Sequence, residues 1–215
     1  MPADKSFTSQ PPAGSAAAPD SFDANHICSF GVVPRMEFSP AVSQLAEKIR
    51  MLVLDVDGVL TDGGLYYDPE GRELKRFHAQ DGLGVKMLLR LGFQVGVITG
   101  LKSMAVAARI HKLGIEDYAE GIDQKLPVLD GMRLKYGLSW SELAYVGDDW
   151  IDLTAFSKVG LPIAVANAQP EVKAHARYIT QAEGGNGAVR EVARLLLTAQ
   201  NKIDQALAHW GLSPA

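Results

Sequence analysis

The chain has 215 residues, 47% of them hydrophobic and 21% charged, and a formal net charge of −4. That length allows a sizeable core, the acidic balance without a basic stripe argues against a nucleic-acid surface, and no apolar run approaches the roughly 20 residues of a membrane span. The single cysteine, Cys28, excludes a disulfide framework within the chain, and the first residues lack the apolar stretch of a secretory signal, so a cytoplasmic location is expected.

Residues 1–39 are rich in Ala, Pro, Ser, Gly and Asp, without lasting periodicity. Such a composition buries too little apolar surface to offset chain entropy. A flexible tail is expected here, carrying His26 and Cys28, with Ile27 to Val33 able to touch the body. A folded domain is expected over 40–215. Ser39 and Pro40 read as the N-cap and first residue of a short helix whose apolar face is Val42, Leu45 and Ile49.

Met51 to Leu54 reads as a short buried strand that stops at Asp55-Val56-Asp57-Gly58. Ligands bind at the carboxyl ends of parallel strands, and residues two apart on a strand point the same way. Asp55 and Asp57 are therefore expected side by side at that edge. Two such carboxylates repel unless a cation or a shared proton relieves them. An Asp-Gly turn explains Asp57 and Gly58 but not Asp55.

The segments Gly63–Tyr67 and Arg72–Phe77 flank Asp68-Pro69-Glu70-Gly71 and predict a β-hairpin. A lone hairpin is marginal in water, so Leu65, Tyr67, Leu74 and Phe77 need a neighbour such as a second subunit. Asp81 is expected to cap a helix through Leu91. Strand Gly92–Ile98 follows, then helix Lys102–Leu113 closed by Gly114. A short strand (118–120), helix Gln124–Tyr136, strand Leu143–Val146 and helix Trp150–Lys158 come next. Strand Pro162–Val165, a short helix near 170–174 and strand Tyr178–Thr180 follow. A single helix over Gly187–Trp210 carries an apolar stripe from Val189 to Leu207. The alternation predicts an α/β fold with a parallel sheet covered on both faces.

Three further strand ends carry polar groups. Thr99 follows Ile98, where it could hold a phosphoryl oxygen, although a threonine closing a strand is more often an N-cap. Lys125 stands at a helix start. Gly147-Asp148-Asp149-Trp150-Ile151-Asp152 sets two acids after a buried strand and a third one turn later. None of the five histidines forms a metal-spaced pair, and His78 stands near the presumed mouth.

The run Asp55 to Asp62, then Thr99, Lys125 and Gly147 to Asp152, resembles in this order the four motifs of the haloacid dehalogenase superfamily of phosphatases. The resemblance implies a Rossmann-like fold with a protruding β-hairpin and Mg²⁺ as cofactor. Asp55, the carbonyl of Asp57, and Asp148 would hold the metal. Asp55 would be the nucleophile and Asp57 the general acid and base. Thr99 and Lys125 would hold the transferring oxygens, and Asp149 and Asp152 would orient ligands and Lys125.

Neither the interval from Asp57 to Thr99 nor that from Lys125 to Asp148 holds an inserted cap domain. This capless pattern resembles the 3-deoxy-D-manno-octulosonate 8-phosphate (KDO 8-phosphate) phosphatases, through Asp62–Tyr67, Gly71–Phe77, Asp81–Gly84 and Gly184–Glu191. The resemblance implies a homotetramer, acting in lipopolysaccharide synthesis on a sugar-acid phosphate. Substrate contacts would come from Asp55, Asp57, His78, Ala79, Gln80, Asp81, Gly82, Lys86, Arg109 and Lys125. The chain departs from that family at Leu101, Gln80 and Asn186, where arginine is usual, and at His78, where asparagine is. Lys102 and Arg109 are expected on one helix face. A nonulosonic acid 9-phosphate phosphatase is the second reading. A receiver-like module and an inactive scaffold are the non-enzymatic ones.

Overall fold

Runs of four or five apolar residues, too short for helices, become strands buried on both faces, as a parallel sheet requires. The computed structural model describes residues 28–30, 36–209 and 212–214. Most of the expected tail, including His26, lies outside the described residues, as does Trp210 at the end of the expected last helix.

In chain order the elements begin with β1 (Cys28–Phe30), α1 (Pro40–Ala46), β2 (Met51–Leu54), β3 (Tyr66–Tyr67), β4 (Glu73–Leu74), α2 (Ala79–Arg90) and β5 (Gln94–Ile98). They continue with α3 (Met104–Leu113), β6 (Asp117–Ala119), α4 (Lys125–Lys135), β7 (Leu143–Gly147), α5 (Leu153–Phe156) and β8 (Leu161–Ala164). The last are α6 (Pro170–His175), β9 (Tyr178–Ile179), α7 (Ala188–Ala199), α8 (Ile203–Ala208) and β10 (Leu212–Pro214). Six strands form one parallel sheet in the order β6-β5-β2-β7-β8-β9. Within 27–33, the stretch expected to be able to touch the body, β1 pairs in parallel with β10.

Ser39 accepts the Val42 N–H and caps α1, as expected. β2 lies at the sheet centre with every residue buried, in register with β5 (Leu54 opposite Val97) and β7 (Leu54 opposite Val146). This register brings Asp55, Thr99 and Asp148 to one carboxyl edge. Among the described residues no helix is long and apolar enough to cross a membrane.

Two helix expectations are corrected. Asp81 does not cap its own helix; His78 is the N-cap residue of α2, and Asp81 is buried in the first turn. Its carboxylate accepts the N–H groups of Gly187 at 3.2 Å and Arg190 at 2.7 Å. It thus caps α7, whose own N-cap residue, Gly187, has no side chain to do so. The long C-terminal helix is two. Asn201 adopts φ 55°, its neighbour Lys202 donates its N–H back to Leu197, and α8 starts afresh. An apolar stripe that continues across the break hides it from periodicity. The Gln200 amide, donating to the carbonyls of Ala46 and Ile49, ties the break to the end of α1.

The hairpin is present but short, β3 pairing antiparallel with β4. Leu65, Tyr67 and Leu74 are 63%, 62% and 57% exposed. A bridge between Thr61 and Phe77 roots it beside the turn that follows β2.

Candidate active site

β2 ends at Leu54, and the chain turns at once: the Val56 carbonyl collects the N–H groups of Val59, Leu60 and Thr61. Strand alternation therefore does not extend to Asp57. Asp55 is buried at 4% exposure, whereas the Asp57 side chain is 31% exposed and faces a different cation. Gly58, with φ +77°, takes a conformation costly for other residues, and a Cβ there would run into the Asp148 carboxylate. On the other side Gly184 crosses so close that its Cβ would overlap the Gly58 carbonyl, and the Gly185 N–H donates to Val59.

Lys125 begins α4 and is wholly buried. Its Nζ lies 2.9 Å from Asp55 Oδ1 and 2.7 Å from Asp152 Oδ1. Asp152 is the hub of this edge. It also accepts the Tyr145 hydroxyl at 2.9 Å and the backbone N–H groups of Asp148 and Asp149 at 3.0 and 3.3 Å. Of the two acids assigned to orienting roles, Asp152 contacts Lys125 and Asp149 pairs elsewhere. Asp149 is exposed and its carboxylate accepts the Trp150 N–H, capping the turn at 150–152. Thr99 is buried at the end of β5, with Oγ1 accepting the Leu101 N–H.

Carboxylate oxygens of Asp55, Asp148 and Asp152 lie within 4.8 Å of one another. Burial, then the charge of Asp152, pushes Asp55 up to about 7 against the pull of Lys125. Burial, then the charges of Asp55, Asp152 and Asp149, pushes Asp148 up to about 8. The shifts have one cause: one lysine does not neutralise three crowded acids out of water. An all-oxygen donor set with surplus negative charge fits a hard divalent cation. Both Asp152 oxygens are already engaged, so Asp55 and Asp148 are the members suited to ligation. The Asp57 carboxylate is not in the cluster, which leaves its carbonyl as the expected ligand.

The expected sugar-acid contacts divide. Ala79, Gly82, Lys86 and Arg109 line one cleft with Leu83, Lys112 and Leu113. Arg109 donates to the His78 carbonyl at 3.2 Å and lies 5.7 Å from the Phe77 ring centroid. Gln80 is exposed, and Asp81 is committed to α7. His78 Nδ1 is buried without a hydrogen-bond partner. Lys102 precedes α3 and packs on Gly121, so it shares no helix face with Arg109.

Sequence reasoning missed three groups. Tyr145 sits within an apolar strand, where its hydroxyl gives no signal. Arg76 donates to the Gly185 carbonyl and to Asn186, one of the departures noted above. Lys75, in the hairpin, donates to Asp57 and pairs with Glu73 at 2.9 Å. Lys75 directly follows β4, and nothing in the local sequence marks it as turned inward.

A family profile described as haloacid dehalogenase-like hydrolase matches residues 124–192. The 3-deoxy-D-manno-octulosonate 8-phosphate phosphatase of Salmonella typhimurium is 46% identical over 168 residues, covering 78% of this chain and 89% of that protein. A crystal structure of the Moraxella catarrhalis phosphatase of that name, in complex with magnesium, phosphate and KDO, is 42% identical. It superposes with a TM-score of 0.78 over 80% of this chain and 99% of its own. The cobalt-bound Haemophilus influenzae counterpart is 39% identical with a TM-score of 0.74, over 77% and 99%.

Proposed function

The chain belongs to the KDO 8-phosphate phosphatases among the haloacid dehalogenase-like hydrolases, and from that premise we propose that it hydrolyses KDO 8-phosphate to KDO and inorganic phosphate. The observation that carries the reading is Lys125 wedged between Asp55 and Asp152, with Asp148 alongside, at the carboxyl edge of the sheet.

Mg²⁺, held by Asp55, the Asp57 carbonyl and Asp148, supplies the charge neutralisation that lets an anionic phosphate approach a carboxylate. An Asp55 oxygen attacks phosphorus, the ester P–O bond breaks, and Asp57 gives its proton to the departing alkoxide. Asp57 then removes a proton from water, whose oxygen takes the phosphoryl group and releases the Asp55 carboxylate. Lys125 and Thr99 hold the transferring oxygens, and Asp152, gripping Lys125, fixes where that ammonium stands.

We assign the sugar-acid end to His78, Ala79, Gln80, Gly82, Lys86 and Arg109, with Asp81 holding that helix start against α7. The catalytic unit is taken as 40–215, preceded by a tail. A homotetramer joined through the hairpin accounts for exposed Leu65, Tyr67 and Leu74, and the single cysteine favours the cytoplasm. Leu101 and Gln80, both exposed where the family usually has arginine, keep a nonulosonic acid 9-phosphate as the second substrate reading.

Phosphate release with Mg²⁺ from KDO 8-phosphate, a nonulosonate 9-phosphate and a neutral sugar phosphate tests the proposal. KDO 8-phosphate should give the highest kcat/KM, and preference for either other ester overturns the assignment. Leu101→Arg should strengthen binding of the sugar-acid carboxylate by about 1–3 kcal/mol, read as a lower KM for KDO 8-phosphate but not for the neutral ester.

A further inference from the structure

Asp57 lies in the turn after β2 with a partly exposed side chain, yet its proposed task demands a fixed orientation. The group that meets it comes from the hairpin. Lys75 Nζ donates to Asp57 Oδ1 and is paired on its other side with Glu73. The Lys75 side chain is 1% exposed. Its hairpin neighbours Leu65, Tyr67 and Leu74 are mostly in solvent. This inverts the usual pattern, in which a short surface hairpin turns lysine out and leucine in.

Anchoring the hairpin does not explain the inversion. The Thr61–Phe77 bridge and the bonds of Arg76 to Asp62, Gly185 and Asn186 already root it. Burying an ammonium costs hydration that an ordinary surface pair would not recover. What Lys75 alone adds is a donor on the Asp57 carboxylate.

We propose that Lys75 is a positioning residue for the reaction: its ammonium holds the Asp57 carboxylate in the orientation from which it serves the leaving oxygen and then the water, while Glu73 holds Lys75. This rests on the phosphatase reading above and deepens it. Lys75 keeps its proton throughout. The proton on the leaving oxygen is Asp57's, and the one Asp57 regains comes from water. The hairpin then completes the catalytic machinery as well as offering an assembly surface.

The test compares two esters. An alkyl phosphate such as KDO 8-phosphate needs its leaving oxygen protonated, whereas p-nitrophenyl phosphate releases a stable phenolate without help. Lys75→Met should lose about 10²-fold in kcat/KM on the alkyl ester, the low end for proton-transfer catalysis, and under about tenfold on the aryl ester. Lys75→Arg should recover most of the alkyl activity. In an Asp57→Asn background, Lys75→Met should cost under about threefold more, because both changes remove one function. Lys75→Gln serves the same comparison if the methionine variant fails to fold. Equal losses on both esters, or additive losses with Asp57→Asn, would overturn the proposal. Wild-type protein that hydrolyses neither ester fails the phosphatase reading instead. Lys75 variants that match an active wild type on both esters fail this inference alone.

Discussion

At the carboxyl edge of the sheet Lys125, Asp55 and Asp152 are charged groups taken out of water, whereas on the hairpin Leu65, Tyr67 and Leu74 are apolar groups left in it. Each region runs against what a folding chain prefers. The edge is compensated in part within the chain: Lys125 answers Asp55 and Asp152, Tyr145 and backbone N–H groups fill the other Asp152 positions, and the surplus charge is left for a cation. The hairpin has no such compensation among the described residues. Crowded buried charge is a common mark of reacting sites, and an exposed apolar patch a common mark of interaction surfaces.

The contrast breaks most sharply at Asp55. Asp55→Asn removes the proposed nucleophile with little change of volume, and Mg²⁺-dependent hydrolysis should fall at least about 10⁴-fold in a protein that still folds. Retained turnover would remove the edge from the chemistry. Next in size is Lys125→Met, which leaves two buried carboxylates facing each other. Metal-free protein should lose about 3–5 kcal/mol, read from its urea midpoint, the usual cost of removing one partner of a buried pair. A loss below 1 kcal/mol would mean water reaches the edge after all.

The acid cluster also predicts a pH effect. With Asp55 held up to about 7 and Asp148 to about 8, the folded chain keeps protons that the unfolded chain releases near pH 4. Metal-free stability should therefore fall as pH rises from about 4 to about 8. Magnesium should raise the melting temperature by a few degrees at pH 8 and by less at pH 5.5. An equal rise at both would show that crowded charge is not what the cation relieves. The smallest effect belongs to the hairpin. Replacing Leu65, Tyr67 and Leu74 together by serine should change the stability of the isolated subunit by only about 0.5 kcal/mol per site, since they are exposed. Light scattering should nevertheless report loss of the proposed tetramer; an unchanged assembly would place the partner surface elsewhere.

The two regions also differed in how far they could be read beforehand. The edge was legible because short apolar runs ending in Asp55, Thr99 and Asp148 report a parallel sheet and its ligand side together. What escaped were pairings that cross between elements. Asp81 looked like a cap for its own helix, and only the packing of α2 on α7 shows which N–H groups it serves. Lys75 drew no reading of its own, because the fold of the hairpin over the β2 turn is not encoded in local spacing. The break at Asn201 was masked by an apolar stripe that runs through it.

The crossing of Gly184 over Gly58 carries a consequence for how the molecule assembles. The loop that follows Asp55 takes its shape against a segment that leaves the ribosome long after it, with no room for even a methyl group between them. Contacts so distant along the chain must wait for loop closure and so are slow to form. The sheet also joins distant segments, β2 with β7, but the loop after β2 is completed only when the still later Gly184–Gly185 segment docks. A nascent chain cut short before it would carry every motif acid from Asp55 to Asp152 and still lack a shaped active site.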